Sequence, residues 1–172
     1  SKEALPWADK ALALTEQLGG LPEVMVQTLD FRGMARCDLN DFGGLDDIRQ
    51  ALQLAHQIEA GNDAAVLYLS LAERVWVADG PATALETCRT GIVFAEQRGL
   101  VQATTGLRCT SLPMLADLGR WEEVIALADD VIVSDRAHGG RYDRVGAEIQ
   151  KAFVWLWRGE ASRALPLIAE LL

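Results

Sequence analysis

Histidine and cysteine are scarce in this chain, with two and three residues among 172. His56 and His138 lie far apart, and no His, Cys and Asp group has the spacing of a metal site. Serine and histidine are too scattered for a catalytic triad. The phosphate-binding pattern G-x-x-x-x-G-K-[ST] is missing, as are G-x-G-x-x-G and G-x-S-x-G. Neither a cofactor nor a metal is implied, and the expectation is a non-enzyme. Cys37, Cys88 and Cys109 are distant and odd in number. That argues against a disulfide framework and suits a reducing, cytoplasmic setting, with the thiols buried and inert. Aromatics make up only 6% and there are five prolines, three of them where helices can begin. No apolar run reaches the roughly 18 residues that span a bilayer, and no signal peptide is visible. Positive charge is also short, 16 Lys and Arg against 25 Asp and Glu, for a net −9. Such a surface repels phosphate backbones, so direct nucleic-acid binding and membrane association are not expected.

What the chain does have is Ala, Leu and a repeat. Half the residues are apolar and 24% charged, a folded and helix-favouring composition. Ala84, Leu85, Cys88, Gly91 and Ile92 form a helical apolar stripe. Val124, Ile125, Ala128, Val131 and Ile132 write it again forty residues on, and Ala164, Leu165, Ile168, Leu171 and Leu172 forty further. The earlier copies drift between 37 and 40 residues, as in the match of Ile48, Ala51, Ala55 and Ile58 to Leu85, Cys88, Ile92 and Ala95. A period of this size predicts a stacked helical solenoid.

Glycines at 19–20, 43–44, 61, 80, 99, 119, 139–140 and 159 cut the chain into segments with 3.6-residue patterning. The pattern predicts about nine helices, near 6–18, 22–39, 45–60, 63–78, 81–98, 100–118, 120–137, 141–158 and 161–172. Pro22 and Pro81 suit first helical turns, and Asn62-Asp63 offers a cap for the fourth helix. Short turns force neighbouring helices to pack antiparallel. No linker interrupts the series, so 1–172 reads as one domain. The opening at Ser1-Lys2 and the stop inside a helical pattern suggest a piece of a longer protein.

The run from Leu115 to Ala128, LADLGRWEEVIALA, resembles the middle of a tetratricopeptide repeat. Gly119 takes the inter-helix glycine, Trp121 the following aromatic, and Val124 and Val131 the small-residue positions of the second helix. Gly159, Ala164 and Leu171 repeat the pattern, as do Gly43, Ile48 and Ala55, and more loosely Gly80, Ala84 and Gly91. The period exceeds the family's usual 34, implying longer helices, and the repeat-ending proline is missing. In this it is similar to the long-helix repeats of large bacterial regulators. Ala95-Glu96-Gln97-Arg98-Gly99-Leu100 and Ala51-Leu52-Gln53-Leu54-Ala55 resemble that group. There a helical arm follows an ATPase module and shares a chain with a LuxR-type DNA-binding or adenylate-cyclase output domain.

The resemblance implies an all-α fold, antiparallel hairpins stacked as a right-handed superhelix, with the first helix of each hairpin lining a concave groove. Carried onto this chain, the groove residues are Asp30, Cys37, Asn40 and Asp41, then Glu73 and Trp76, Cys109, and Phe153 and Trp157. Trp76, Phe153 and Trp157 are candidate aromatic anchors, or packing residues, as Trp155 is expected to be. The function implied is a non-catalytic module that binds a protein or peptide, another domain of its own parent chain included, within a transcriptional or signalling regulator. The alternative is a small-ligand-sensing arm of an ATPase-type regulator. An enzyme on a helical-repeat scaffold has no constellation behind it, and the oligomeric state is open. The carboxylate pairs Asp46-Asp47, Glu122-Glu123 and Asp129-Asp130 read as solvated faces. Arg136, His138, Arg141 and Arg144 read as an exposed turn around Gly139-Gly140, offset by neighbouring acids.

Overall fold

The structure, a computed structural model, describes residues 2–139 and 141–171. Among them are nine α-helices and no strand: α1 (Ala4–Gln17), α2 (Pro22–Cys37), α3 (Gly44–Gln57), α4 (Gly61–Asp79), α5 (Pro81–Gln97), α6 (Val101–Asp117), α7 (Trp121–Ala137), α8 (Tyr142–Trp157) and α9 (Ala161–Leu171). Each helix packs on the next, as a hairpin stack requires. None of the described helices is long and apolar enough to cross a membrane.

The turns explain the punctuation. A residue with positive φ ends most helices, at Gly19, Asn40, Glu59, Gly99, Gly119, Gly139 and Gly159. The next residue's N–H then reaches back five positions, as from Asp41 to Arg36, Ala60 to Ala55, Leu100 to Ala95, Arg120 to Leu115 and Glu160 to Trp155. That bond satisfies a carbonyl which the helix end would otherwise leave open. A turn closed this way about every twenty residues sets the forty-residue hairpin.

The period is visible in burial. Leu67, Leu107 and Ala147 are buried at one register, as are Ala72, Leu112 and Ala152, and Val75, Leu115 and Trp155. Ala84, Val124 and Ala164 are fully buried at another. Truncating a buried leucine such as Leu107 to alanine costs about 2–5 kcal/mol. Alanine at many of these crossings lets helices approach closely. The core runs along the stack, from a group holding Val26, Ile48, Leu67 and Met114 to one holding Leu112, Val131 and Val154. It ends in Ala152, Trp155 and Ala164.

Two expectations are corrected. Helix α4 starts at Gly61, with Ala60 at its cap and no side-chain cap bond, so Asn62-Asp63 lies inside the first turn. Asp47 is buried, not solvated: Arg32 donates to it at 2.9 and 2.7 Å and Arg36 at 3.0 Å. The other acids behave as surface groups. Asp46 pairs with Arg49, Glu122 with Arg158, Glu123 with Arg120 and Asp129 with Lys151. Pro113 lies inside α6, which runs on to Asp117. Gly140 and Leu172 lie outside the described residues, as does the side chain of Leu171.

Candidate functional site

Two layers of helices differ in how they stack. The backbones of α2, α4, α6 and α8 approach one another in succession, whereas among the described residues those of α3, α5 and α7 approach only helices of the other layer, and α3 and α5 meet through His56 and Phe94. The even helices thus form a continuous layer along the stack, the one that the repeat register assigns to the inner wall. At one register, side chains of the even helices reach the odd ones. Tyr68 meets His56 and Phe94, Arg108 pairs with Glu96 at 2.8 Å, and Glu148 faces Arg136 at 3.5 Å.

On the inner wall a groove of about 600 Å³ runs between α6 and α8. Cys109, Thr110 and Pro113 line one side, and Tyr142, Gly146 and Ile149 the other, with Glu73 of α4 at one end. Gly146 permits the approach, because a Cβ there would meet Cys109 Sγ at 3.0 Å. Pro113 has no N–H, so the Cys109 carbonyl one turn earlier loses its helical donor. Ile149 is 38% exposed and Tyr142 almost wholly so, which makes the floor apolar and adhesive.

The ends of α7 and α8 frame this groove. Asp135 is buried and accepts the Arg144 backbone N–H at 3.0 Å, capping α8 from the preceding helix. Asp143, beside it, has its carboxyl held above the ordinary range, by burial first and then by Asp135. Burial pushes the Cys109 thiol up to about 12, with Asp143 and Asp135 adding to the shift. Arg136 and Arg144 are drawn to the buried Glu148, at 3.5 and 3.9 Å. That leaves Arg141 as the cation on the groove, against Glu73 and Asp143.

Farther along the inner wall, a cavity of about 320 Å³ lies between α2 and α4, lined by Asp30, Phe31, Asp63 and Val66 among others. On the outer side, about 520 Å³ opens near His56, Phe94 and Arg98, with the Arg98 guanidinium 3.9 Å above the Phe94 ring.

The structure places the sequence candidates in several settings. Glu73 and Cys109 line the main groove, and Asp30 the smaller cavity. Phe153 and Trp157 are exposed on α8 and stack with centroids 6.3 Å apart; Trp157 also lies against Trp121. Trp76 is half-buried against the core, its indole N–H donating to Asp117 at 3.0 Å. Cys37 is buried in the core rather than presented to a groove. Asn40 and Asp41 occupy the α2–α3 turn, where Asp41 accepts from Arg36 at 2.7 Å. Sequence reasoning missed Tyr142, Ile149, Asp63 and Phe31. The one signal available was the pair Gly106 and Gly146, forty residues apart on successive inner helices.

No group of three or more His, Cys, Asp or Glu among the described residues is placed to hold a metal. Cys88, near the Met114 sulfur, is buried with its thiol pushed up to about 11. Compared with known proteins, the chain matches no family model and no curated protein sequence.

Proposed function

We propose that this chain is a tetratricopeptide-like, right-handed repeat module that binds a peptide or an extended protein segment along its inner wall. The observation that supports this reading best is the groove between α6 and α8. It presents an apolar floor and flanking carboxylates on helices held by a buried core. Rigid helices carrying an apolar groove with a few convergent polar groups are the usual form of a peptide-binding surface. The proposed setting, the repeat arm of a transcriptional or signalling regulator, rests on the sequence likeness.

The test is binding of a randomised peptide library to the intact chain and to Ile149→Glu. Ile149 is partly exposed on the groove, so the variant should fold and lose most of the retained peptides. Equal retention by both would remove the groove from consideration.

A second reading, a small-ligand sensor, is favoured by the size of the cavities, since 520 and 600 Å³ fall within the span of about 300–1,000 Å³ that small ligands fill. A thermal-shift screen of metabolites addresses it, because a ligand bound only to the folded state raises the melting temperature.

A further inference from the structure

Asp30 of α2 is a buried carboxylate with one oxygen unpartnered. Its residue is 7% exposed. Oδ2 accepts the Ser70 hydroxyl at 3.3 Å, while Oδ1 is shut off from solvent and has no hydrogen-bond partner. Buried carboxylates in a finished structure are partnered, as Asp47 is by Arg32 and Arg36. The neighbouring cation, Arg74, lies 3.4 Å from Asp38 and 3.5 Å from Glu73, and its buried Nε likewise has no hydrogen-bond partner. It forms no ion pair with Asp30 among the described residues, and it offsets only part of the burial that pushes the Asp30 carboxyl up.

The surroundings have a definite shape. Asp30 lines the cavity of about 320 Å³, with Val26, Phe31, Val66 and Leu67 as its apolar walls and Asp63 as a second carboxylate. Phe31 and Val66 stand 63% and 51% exposed, where nothing in the core requires them. An apolar channel leading to carboxylates matches a side chain with a hydrocarbon stem and a cationic head. The Phe31 ring adds a face on which such a cation is attracted.

We propose that this cavity is a subsite for a lysine or arginine side chain of a peptide lying along the inner wall. The stem packs between Phe31 and Val66, Asp63 accepts from the cationic head, and the underlying Asp30 carboxylate attracts it by charge. The subsite rests on the reading of the inner wall as a peptide groove. The main groove agrees in sign, since Glu73 and Asp143 outnumber Arg141 there.

The experiment uses the full chain and pools of acetylated, amidated hexapeptides with one position fixed as Arg, Lys, Glu or Leu. Arg and Lys pools should bind at least about tenfold tighter than Glu pools, the worth of one charge-assisted hydrogen bond. Asp30→Asn keeps the shape and removes the charge, and should reduce the Arg and Lys pools to the Leu level. Asp63→Asn and Phe31→Ala should each weaken the same pools, which keeps the test alive if Asp30→Asn does not fold. Ile149→Glu should weaken all pools alike. Peptide binding without preference for Arg or Lys, or a preference untouched by the Asp30, Asp63 and Phe31 variants, overturns the subsite and leaves the groove standing. No binding by any pool overturns the groove itself, and the subsite with it.

Discussion

Gly33 and Gly44 face each other backbone to backbone where α2 crosses α3. A Cβ on Gly33 would lie 2.6 Å from the Gly44 carbonyl oxygen, and one on Gly44 would collide with the Gly33 carbonyl and with Cys37 Sγ at 3.0 Å. The two carbonyls are backbone and cannot swing aside, so the helices must separate. Gly44→Ala should therefore destabilise the fold by about 1–3 kcal/mol, the usual cost of overpacking, although alanine is the better helix former. A urea midpoint equal to that of wild type would show that the crossing yields more freely than this geometry implies.

The same crossing carries the buried carboxylate of Asp47, held by two arginines. Removing one member of a buried pair leaves an uncompensated charge and costs about 3–5 kcal/mol. Arg32 and Arg36 are each about a quarter exposed, so the lower end or below is expected here. Asp47→Asn should lower the melting temperature clearly. Arg32→Met combined with Asp47→Leu should recover part of the loss, and a double-mutant cycle measures the coupling.

Glu59 adopts φ 56 in a turn where its counterparts at 99, 119, 139 and 159 are glycine. A side chain in the left-handed region costs about 1 kcal/mol. Glu59→Gly should raise stability by several tenths of a kcal/mol, because glycine's greater freedom in the unfolded chain offsets part of the relief. Gly119→Ala, at φ 70, should lower it. Thermal melts of the two variants should move in opposite directions.

The thiols give a pH prediction. Burial raises Cys88 to about 11 and Cys109 to about 12, and the thiolate is the reactive form. At about pH 8 the unfolded chain holds far more thiolate than the folded one. Alkylation should be slow in buffer, fast in denaturant, and in the folded protein accelerate up to strongly alkaline pH. Rapid labelling of Cys109 at neutral pH would contradict its setting beside Asp143.

Asp30 tests linkage. Its folded carboxyl is raised above the ordinary 3.8, so between that value and the raised one the folded state binds more protons than the unfolded. Stability then falls as pH rises through this window, and the cost persists above it. Asp30→Asn should gain on wild type as pH rises from about 4 to 7. Unfolding midpoints that keep the same difference at both ends would show that burial of this carboxyl costs nothing.

The helices were legible because their signals are local. Apolar residues spaced three and four apart, as at Val124, Ala128 and Val131, specify a face wherever the helix sits. Glycine at 99, 119 and 159 marks left-handed turns from a single residue's sterics. Asn62-Asp63 misled because the α4 turn is closed by Glu59 in a conformation that its side chain does not advertise. Asp47 misled because its partners, Arg32 and Arg36, lie on another helix. The groove was legible only in part. Glu73 and Cys109 came from the repeat register, whereas Tyr142 and Ile149 depend on how closely α8 approaches α6.

The sequence by itself determined nine helices, their turns and the forty-residue period, since backbone hydrogen bonding and helical patterning act over a few residues. Tertiary structure alone decided how closely α8 approaches α6, which of the acids was buried against arginines, and which was left with an unpartnered oxygen beside a cavity. Those outcomes depend on distances between helices, set by the fit of glycine, alanine and larger side chains at each crossing, and no stretch of one helix contains that information.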